Sequence, residues 1–231
     1  MPSLKSKLLI GTMKSVKPIL TGFAVASQRK GLEMMRYIHP KNKTVELRRT
    51  GEECPLPGVW AIPAEETAHK AILYTHGGAY VSGSPSTHEP LICRLAEQCR
   101  LPVFAYDYRL APENLFPAAL EDAVTAFDFL LDQGYNPGDI VLCGDSAGGG
   151  LTLPAALVVI SPWTDLTESL DTHYSNTGSD PLISSEELRE MALLYAGGQD
   201  LKTPYISPLY GDFTDFPPVL IHVGSDEVLL D

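Results

Sequence analysis

The feature that most constrains this chain is a series of four- and five-residue apolar runs set apart by longer segments with helical spacing. Ala71–Thr75, Val103–Tyr106, Ile140–Cys143, Leu157–Ile160 and Val219–Val223 are too short for helices and predict buried strands. Between them, Leu91–Cys99 suits a helix. Ala118–Gln133 predicts a longer one, with Leu120, Val124, Phe127 and Leu131 on one face and Gly134 as the stop. Ser184 with Glu187 makes a capping box for a helix that ends before Gly197 and Gly198. Upstream, Thr44–Arg49 alternates like a half-exposed strand, with Gly58–Ile62 as its partner. Residues 1–40 read as helical segments broken near Pro18 and closed by Pro40. Strands alternating with helices predict an α/β fold: a mostly parallel sheet with helices on both faces.

Composition narrows the function classes. The chain has 231 residues, 44% hydrophobic and 20% charged, which fits a globular domain and excludes a disordered chain, a coiled coil or a fibrous repeat. Its net charge of −12 repels phosphate backbones, so nucleic acid is not an expected partner. Four cysteines without close pairing argue against a disulfide scaffold. The charge is unevenly placed: residues 1–50 hold eleven of the 17 Lys and Arg but only two acids, Glu33 and Glu46. After Leu8, Leu9 and Ile10 the sequence is interrupted by Lys14 and Lys17 and shows no small-residue cleavage site, so the segment does not read as a signal peptide and a cytoplasmic location is expected. Residues 4–23 mix Lys with Leu, Ile, Met and Phe. Peripheral membrane arms share that mixture, but so do helices that cover a core, and the second reading is preferred.

The chemistry concentrates after Ile140–Cys143, which runs into Gly144-Asp145-Ser146-Ala147-Gly148. This is a G-x-S-x-G nucleophile elbow between a strand and a small-residue helix start. The spacing puts a serine on a strained turn that lifts its Oγ above the sheet, while glycine on either side lets neighbouring backbone pass. The N–H of Ala147 then points at the place where an oxyanion develops. No Lys follows with P-loop spacing, which excludes a phosphate loop. A second turn, His76-Gly77-Gly78-Ala79, follows Ala71–Thr75 and can present N–H groups to another side of the same oxyanion.

With these two turns, the chain resembles the hormone-sensitive-lipase-like family of α/β-hydrolases, as found among bacterial carboxylesterases. The resemblance is carried by His76-Gly77-Gly78, by Asp107-Tyr108-Arg109-Leu110-Ala111-Pro112-Glu113 with Phe116-Pro117, by Gly144-Asp145-Ser146-Ala147-Gly148-Gly149, by Ser161-Pro162-Trp163, and by Gly224-Ser225-Asp226-Glu227-Val228-Leu229-Leu230-Asp231. It implies the α/β-hydrolase fold, with residues 1–43 as an N-terminal helical cap segment over the acyl pocket and residues 44–231 as the catalytic core. It implies hydrolysis of short-chain acyl esters, small-molecule substrates, without metal or cofactor. It makes Ser146 the nucleophile and Gly77, Gly78 and Ala147 the oxyanion donors. Ala79 stands where many relatives carry a third glycine. The triad acid is Glu227 or Asp226. Glu227 is favoured because Leu229 and Asp231 stand two and four residues beyond it, as the family pattern requires.

Two parts of that pattern are missing. The general base should be a histidine beyond the acid, and none of His39, His69, His76, His88, His173 and His222 stands in that context. From Asp145 to Ala155 there are eleven residues where a right-handed crossover needs about a dozen or more, and Pro154 falls where the helix should continue. The chain therefore reads as incomplete after the elbow and at the C-terminus. A bare sheet edge after Val223 leaves a homodimer open. The missing histidine keeps a second reading alive, a non-catalytic small-molecule-binding protein on the same fold, as in plant gibberellin receptors. An amidase or deformylating hydrolase with the same triad is a third. Elsewhere, Arg109 and Glu113 are expected to brace a loop as an ion pair, and Asp145 to hydrogen-bond the loop beside it. Cys143 is expected to fill space, Cys93 and Cys99 to stay unpaired, and Trp163 to pack on a sheet end. No cluster has metal-ligand spacing.

Overall fold

Hydrogen bonding of the apolar runs to one another produces the sheet around which everything else is laid. The computed structural model describes residue 11 and residues 25–35, 42–152, 158–214, 216 and 218–231. A helix α1 (Val25–Met35) precedes two strands, β1 (Val45–Arg49) and β2 (Gly58–Pro63), which pair antiparallel from Val45↔Pro63 to Arg49↔Val59. Then come β3 (Ala71–Thr75), α2 (Glu89–Cys99), β4 (Val103–Tyr106), α3 (Ala118–Asp132), β5 (Ile140–Asp145), α4 (Ala147–Thr152) and β6 (Val158–Ile160). Two more helices, α5 (Asp171–Ser175) and α6 (Ser185–Ala196), lead to β7 (Leu220–His222). The order across the sheet is β1-β2-β4-β3-β5-β6-β7, parallel from β4 onward. The predicted cap segment lies mostly outside the described residues; of it, α1 is described.

Every residue of β3 and β4 is buried, because successive side chains enter two different cores. Leu73, Phe104 and Leu142 belong to the core on the α3 side of the sheet with Ala126 and Leu130, a core that Leu188 and Tyr195 of α6 join. Ile72, Tyr74, Val103 and Cys143 face α2, where Ile92, Cys93 and Ala96 do the same. Each fully buried Leu, Ile or Phe here contributes roughly 1.5–3 kcal/mol. The capping box at Ser184 and Glu187 forms as read, and Gly197 ends α6 in the left-handed region at φ 60°. All four cysteines are free thiols. Among the described residues no helix is long and apolar enough to cross a membrane.

The buried face of α3 is wider than the one expected: Leu120, Phe127 and Leu131 pack against the core, but deeper residues lie beside them. Ala119, Asp122, Ala126, Phe129 and Leu130 are buried, while Val124 is 54% exposed. Small alanines let the helix lie close to the sheet. Leu120, Val124 and Phe127 line an apolar hollow of about 150 Å³ with Leu142, Leu151 and Thr152.

Among the described residues β6 pairs with Cys143–Asp145, the end of β5 that leads to Ser146. Of the expected strand Leu157–Ile160 the described part, Val158–Ile160, is formed, and Leu157 lies outside the described residues. The expected Val219–Val223 shortens to Leu220–His222. Among the described residues β7 is an edge strand, with Leu220 63% and Ile221 54% exposed; His222 is exposed beside them.

The expected Arg109–Glu113 pair is not formed. Arg109 Nε donates to Asp122 Oδ1 at 2.9 Å, and its Nη2 lies 2.9 Å from Glu121 Oε2, both in the first turns of α3. The Arg109 N–H donates to Asp122 Oδ2 at 2.7 Å. Glu113 turns the other way, to Arg29 of α1 at 2.8 Å, and Arg29 also donates to the carbonyls of Val81 and Ala111. The loop is thus braced twice, once to α3 and once to α1. Asp122→Ala strands a backbone N–H and a guanidinium, and should destabilise the protein by about 1–3 kcal/mol. Glu121→Ala, at the exposed partner, should change it by less than about 1 kcal/mol. Urea unfolding midpoints at unchanged slope compare the two.

Candidate active site

Ser146 sits at the carboxyl end of β5 with φ 51°, a left-handed conformation that costs a serine roughly 1–3 kcal/mol. Its peptide groups are held on both sides. The Ser146 N–H donates to Ile160 O at 2.9 Å, and its carbonyl accepts from Gly150 N at 3.0 Å and Trp163 N at 2.9 Å. Glycine is required on both flanks. A Cβ at Gly144 would stand 2.5 Å from Gly148 O, and one at Gly148 would land on the Thr75 carbonyl. Trp163 is fully buried against Tyr80, as expected of a residue packed on the sheet end. No described side chain takes a hydrogen bond from the Ser146 hydroxyl.

The loop after β3 runs through the left-handed region at three successive residues, Gly78 (φ 126°), Ala79 (φ 53°) and Tyr80 (φ 62°). Three contacts hold it there. Gly78 O accepts from Val81 N and Ser82 N, Tyr80 O accepts from Ala111 N, and the Tyr80 ring stacks on Tyr195 at 3.8 Å. Such a turn aims consecutive N–H groups at one point. Of the three expected oxyanion donors, Gly77 is committed elsewhere: its N–H donates to Asp145 Oδ1 at 2.9 Å. Burial of the Asp145 carboxylate against the loop makes it the nearest acceptor. The N–H groups of Gly78 and Ala147 have no partner among the described residues, nor has that of Ala79, which the sequence reading did not include.

Asp145 is therefore the loop-bracing residue expected, with more partners than expected. Tyr74 OH also donates to Oδ1, and His88 Nε2 lies 3.4 Å from Oδ2. Burial opposes the carboxylate charge, but the His88 hydrogen bond and charge, with Tyr74, hold Asp145 below the usual carboxylate range. Nothing in the spacing of Tyr74 or His88 signals this role, because both reach Asp145 only through the sheet.

The loop after β7 holds the two candidate acids differently. Asp226 is exposed. Glu227 is half-buried, and its Oε1 accepts from Gly224 N at 2.9 Å. Asn176 donates to Glu227 O at 2.8 Å, and Asp180 accepts from Val228 N at 3.0 Å, so the α5–α6 connection anchors this loop. Sequence reading had no signal for Asn176 or Asp180. None of the five described histidines bonds to Ser146: His69 stacks on Tyr135, His76 turns to Gly77 O, His88 to Asp145, His173 is buried, and His222 is exposed on β7. His39 lies outside the described residues. Among the described residues no group of His, Cys, Asp and Glu converges as a metal site.

A mostly parallel sheet with a strained serine at the carboxyl end of β5, faced by a glycine turn from the neighbouring β3, defines an α/β-hydrolase. The family model for the alpha/beta hydrolase fold matches residues 72–231, and the chain belongs to that family. Within it the chain is one of the hormone-sensitive-lipase-like proteins. It superposes with a TM-score of 0.92 on an esterase from the bacterial hormone-sensitive lipase family, at 34% identity over all of this chain and 82% of the other. It is 44% identical over 185 residues to an acetyl-hydrolase of Streptomyces hygroscopicus, covering 74% of this chain and 62% of the relative. It is 34% identical over 241 residues to an esterase of Acinetobacter venetianus, covering 97% of this chain and 77% of the relative. The chain thus spans less than two thirds of the length of the acetyl-hydrolase.

The packing at the elbow yields a direct test. Gly148→Ala forces a Cβ against backbone and should destabilise the protein by roughly 1–3 kcal/mol. Gly138→Ala, where a Cβ meets open space, should be neutral. Thermal melts of the two variants beside the parent protein read the difference.

Proposed function

We propose that the protein hydrolyses short-chain acyl esters through a serine acyl-enzyme. The observation that carries this reading is the Ser146 hydroxyl on a left-handed turn, without a side-chain partner among the described residues, together with the N–H groups of Ala147, Gly78 and Ala79, which have none there either. Ser146 Oγ attacks the ester carbonyl and its proton passes to an imidazole. The carbonyl oxygen, now an anion, takes hydrogen bonds from Gly78, Ala147 and Ala79 N–H groups that need no rearrangement to donate. Collapse expels the alcohol with the proton returned, and water, activated by the same imidazole, releases the acid and restores Ser146. Glu227 orients the imidazole, a role supported by its anchored loop and partial burial beside the exposed Asp226. The imidazole belongs to a histidine other than the five described. Preference for short acyl groups is supported by the likeness to an acetyl-hydrolase. A purely binding protein gives no account of a serine held in this strained, glycine-lined turn.

Two experiments test the reading. With p-nitrophenyl acetate, Ser146→Ala should reduce kcat to background, since loss of a nucleophile costs on the order of a millionfold, and an organophosphonate should add to Ser146 by mass spectrometry. Full turnover by Ser146→Ala would overturn the mechanism. Glu227→Gln should lower kcat more than Asp226→Asn, and the opposite ranking would move the acid to Asp226.

A further inference from the structure

Behind the elbow lies an ion pair that the proposed chemistry does not use. His88 caps the start of α2, where its carbonyl accepts from Leu91 N and Ile92 N at 3.0 Å each. Its ring reaches back to β5. Nδ1 faces the Ser84 carbonyl at 3.1 Å, and Nε2 faces Asp145 Oδ2 at 3.4 Å. Thr87 Oγ1, also beside Nδ1 at 2.9 Å, points its own proton at Ser84 O. An imidazolium donates to the Ser84 carbonyl and to Asp145 at once. The two side chains are 21% and 22% exposed.

The other rings and the thiol packed on this pair are neutral. His76 lies 5.6 Å from the His88 ring, and burial, with the His88 charge beside it, lowers it to about 3. Burial pushes the hydroxyls of Tyr74 and Tyr108 well above their usual range, and Cys143 up to about 12. Two further carboxylates lie close by: Glu33 accepts from Ser84 Oγ at 2.6 Å, and Glu89 follows His88 in the first turn of α2. Asp145 is the carboxylate the His88 ring meets directly, and it is the group that fixes Gly77.

Resting on the esterase reading above, we propose that His88 is a positioning residue for the oxyanion turn: its charge holds Asp145 against the Gly77 N–H, and so keeps the Gly78 and Ala79 N–H groups aimed over Ser146. The chain of contacts is short and contiguous. It runs from the His88 ring to Asp145 Oδ2, through the carboxylate to Oδ1, to Gly77 N at 2.9 Å, and along one peptide to Gly78. Without the imidazolium, Asp145 keeps Tyr74 and Gly77 but loses the partner that fixes its plane.

The pH window follows from the two shifts. Burial lowers His88, but its hydrogen bond and attraction to Asp145 outweigh that and raise it above an ordinary histidine. Its contribution is complete below the ordinary histidine range and is lost as pH rises through the raised folded value. Asp145, held low, contributes above the ordinary carboxylate range and loses its contribution as pH falls through its depressed folded value. The turn is held between those limits.

The test has one arm that needs no turnover. In the 15N-labelled protein, the Gly77 amide proton should titrate with the same midpoint as the His88 ring, and His88→Gln should abolish that titration. A Gly77 amide indifferent to the His88 midpoint would overturn the proposal, whether or not the variant folds. In the second arm, His88→Gln should slow phosphonylation of Ser146 and kcat for p-nitrophenyl acetate by about ten- to hundredfold, with KM changed less than about twofold. Its alkaline fall in rate at the His88 midpoint should vanish. A variant that folds and reacts at the parent rate would also overturn it. Absence of any phosphonylation in the parent protein would defeat the esterase reading alone, and the Gly77 titration would still decide the positioning.

Discussion

The structure depends on a backbone that is bonded on both sides of one strained residue. Ser146 would relax out of the left-handed region if its N–H were not held by Ile160 and its carbonyl by Gly150 and Trp163. Those three partners come from β6, from the α4 turn and from the segment after β6. This is why β6 pairs with the end of β5 that leads to the serine. The glycines at 144 and 148 are the steric consequence: backbone must pass backbone here with no Cβ between.

A second layer of the same logic surrounds the turn after β3. Three successive left-handed residues do not persist unaided, and the two that flank Ala79 are tied down: Gly78 to its own turn, and Tyr80 both to the loop at Ala111 and, through its ring, to α6. Arg29 of α1 reaches the same region through the Val81 and Ala111 carbonyls. The supports of these turns thus lie in α1, α6, β5 and the loop before α3.

Much of the fold was legible because burial on both faces leaves a plain mark: β3 and β4 were read to the residue, and β5 and the capping box of α6 nearly so. The elbow was legible for a related reason, since only glycine tolerates the close approach on either side of Ser146. The face of α3 was legible in part. Leu120, Phe127 and Leu131 do pack against the core, but the residues buried deepest against the sheet are Ala119, Ala126, Phe129 and Leu130 beside them, and Val124 stays exposed.

The sequence by itself determined which segments become buried strands, that their connections are helical, and that a serine would be lifted from the end of one strand between two glycines. Those are local matters, set by side-chain period and by backbone sterics within a few residues. Only the tertiary structure decided which partners the polar groups take. Arg109 found Asp122 and Glu121 and not Glu113. The Gly77 N–H went to Asp145 and not to the oxyanion site, and His88 joined that carboxylate across the sheet from α2. A charged or polar side chain has several acceptable partners of like chemistry, and which one it meets depends on how separate elements pack, information that spacing along the chain does not contain.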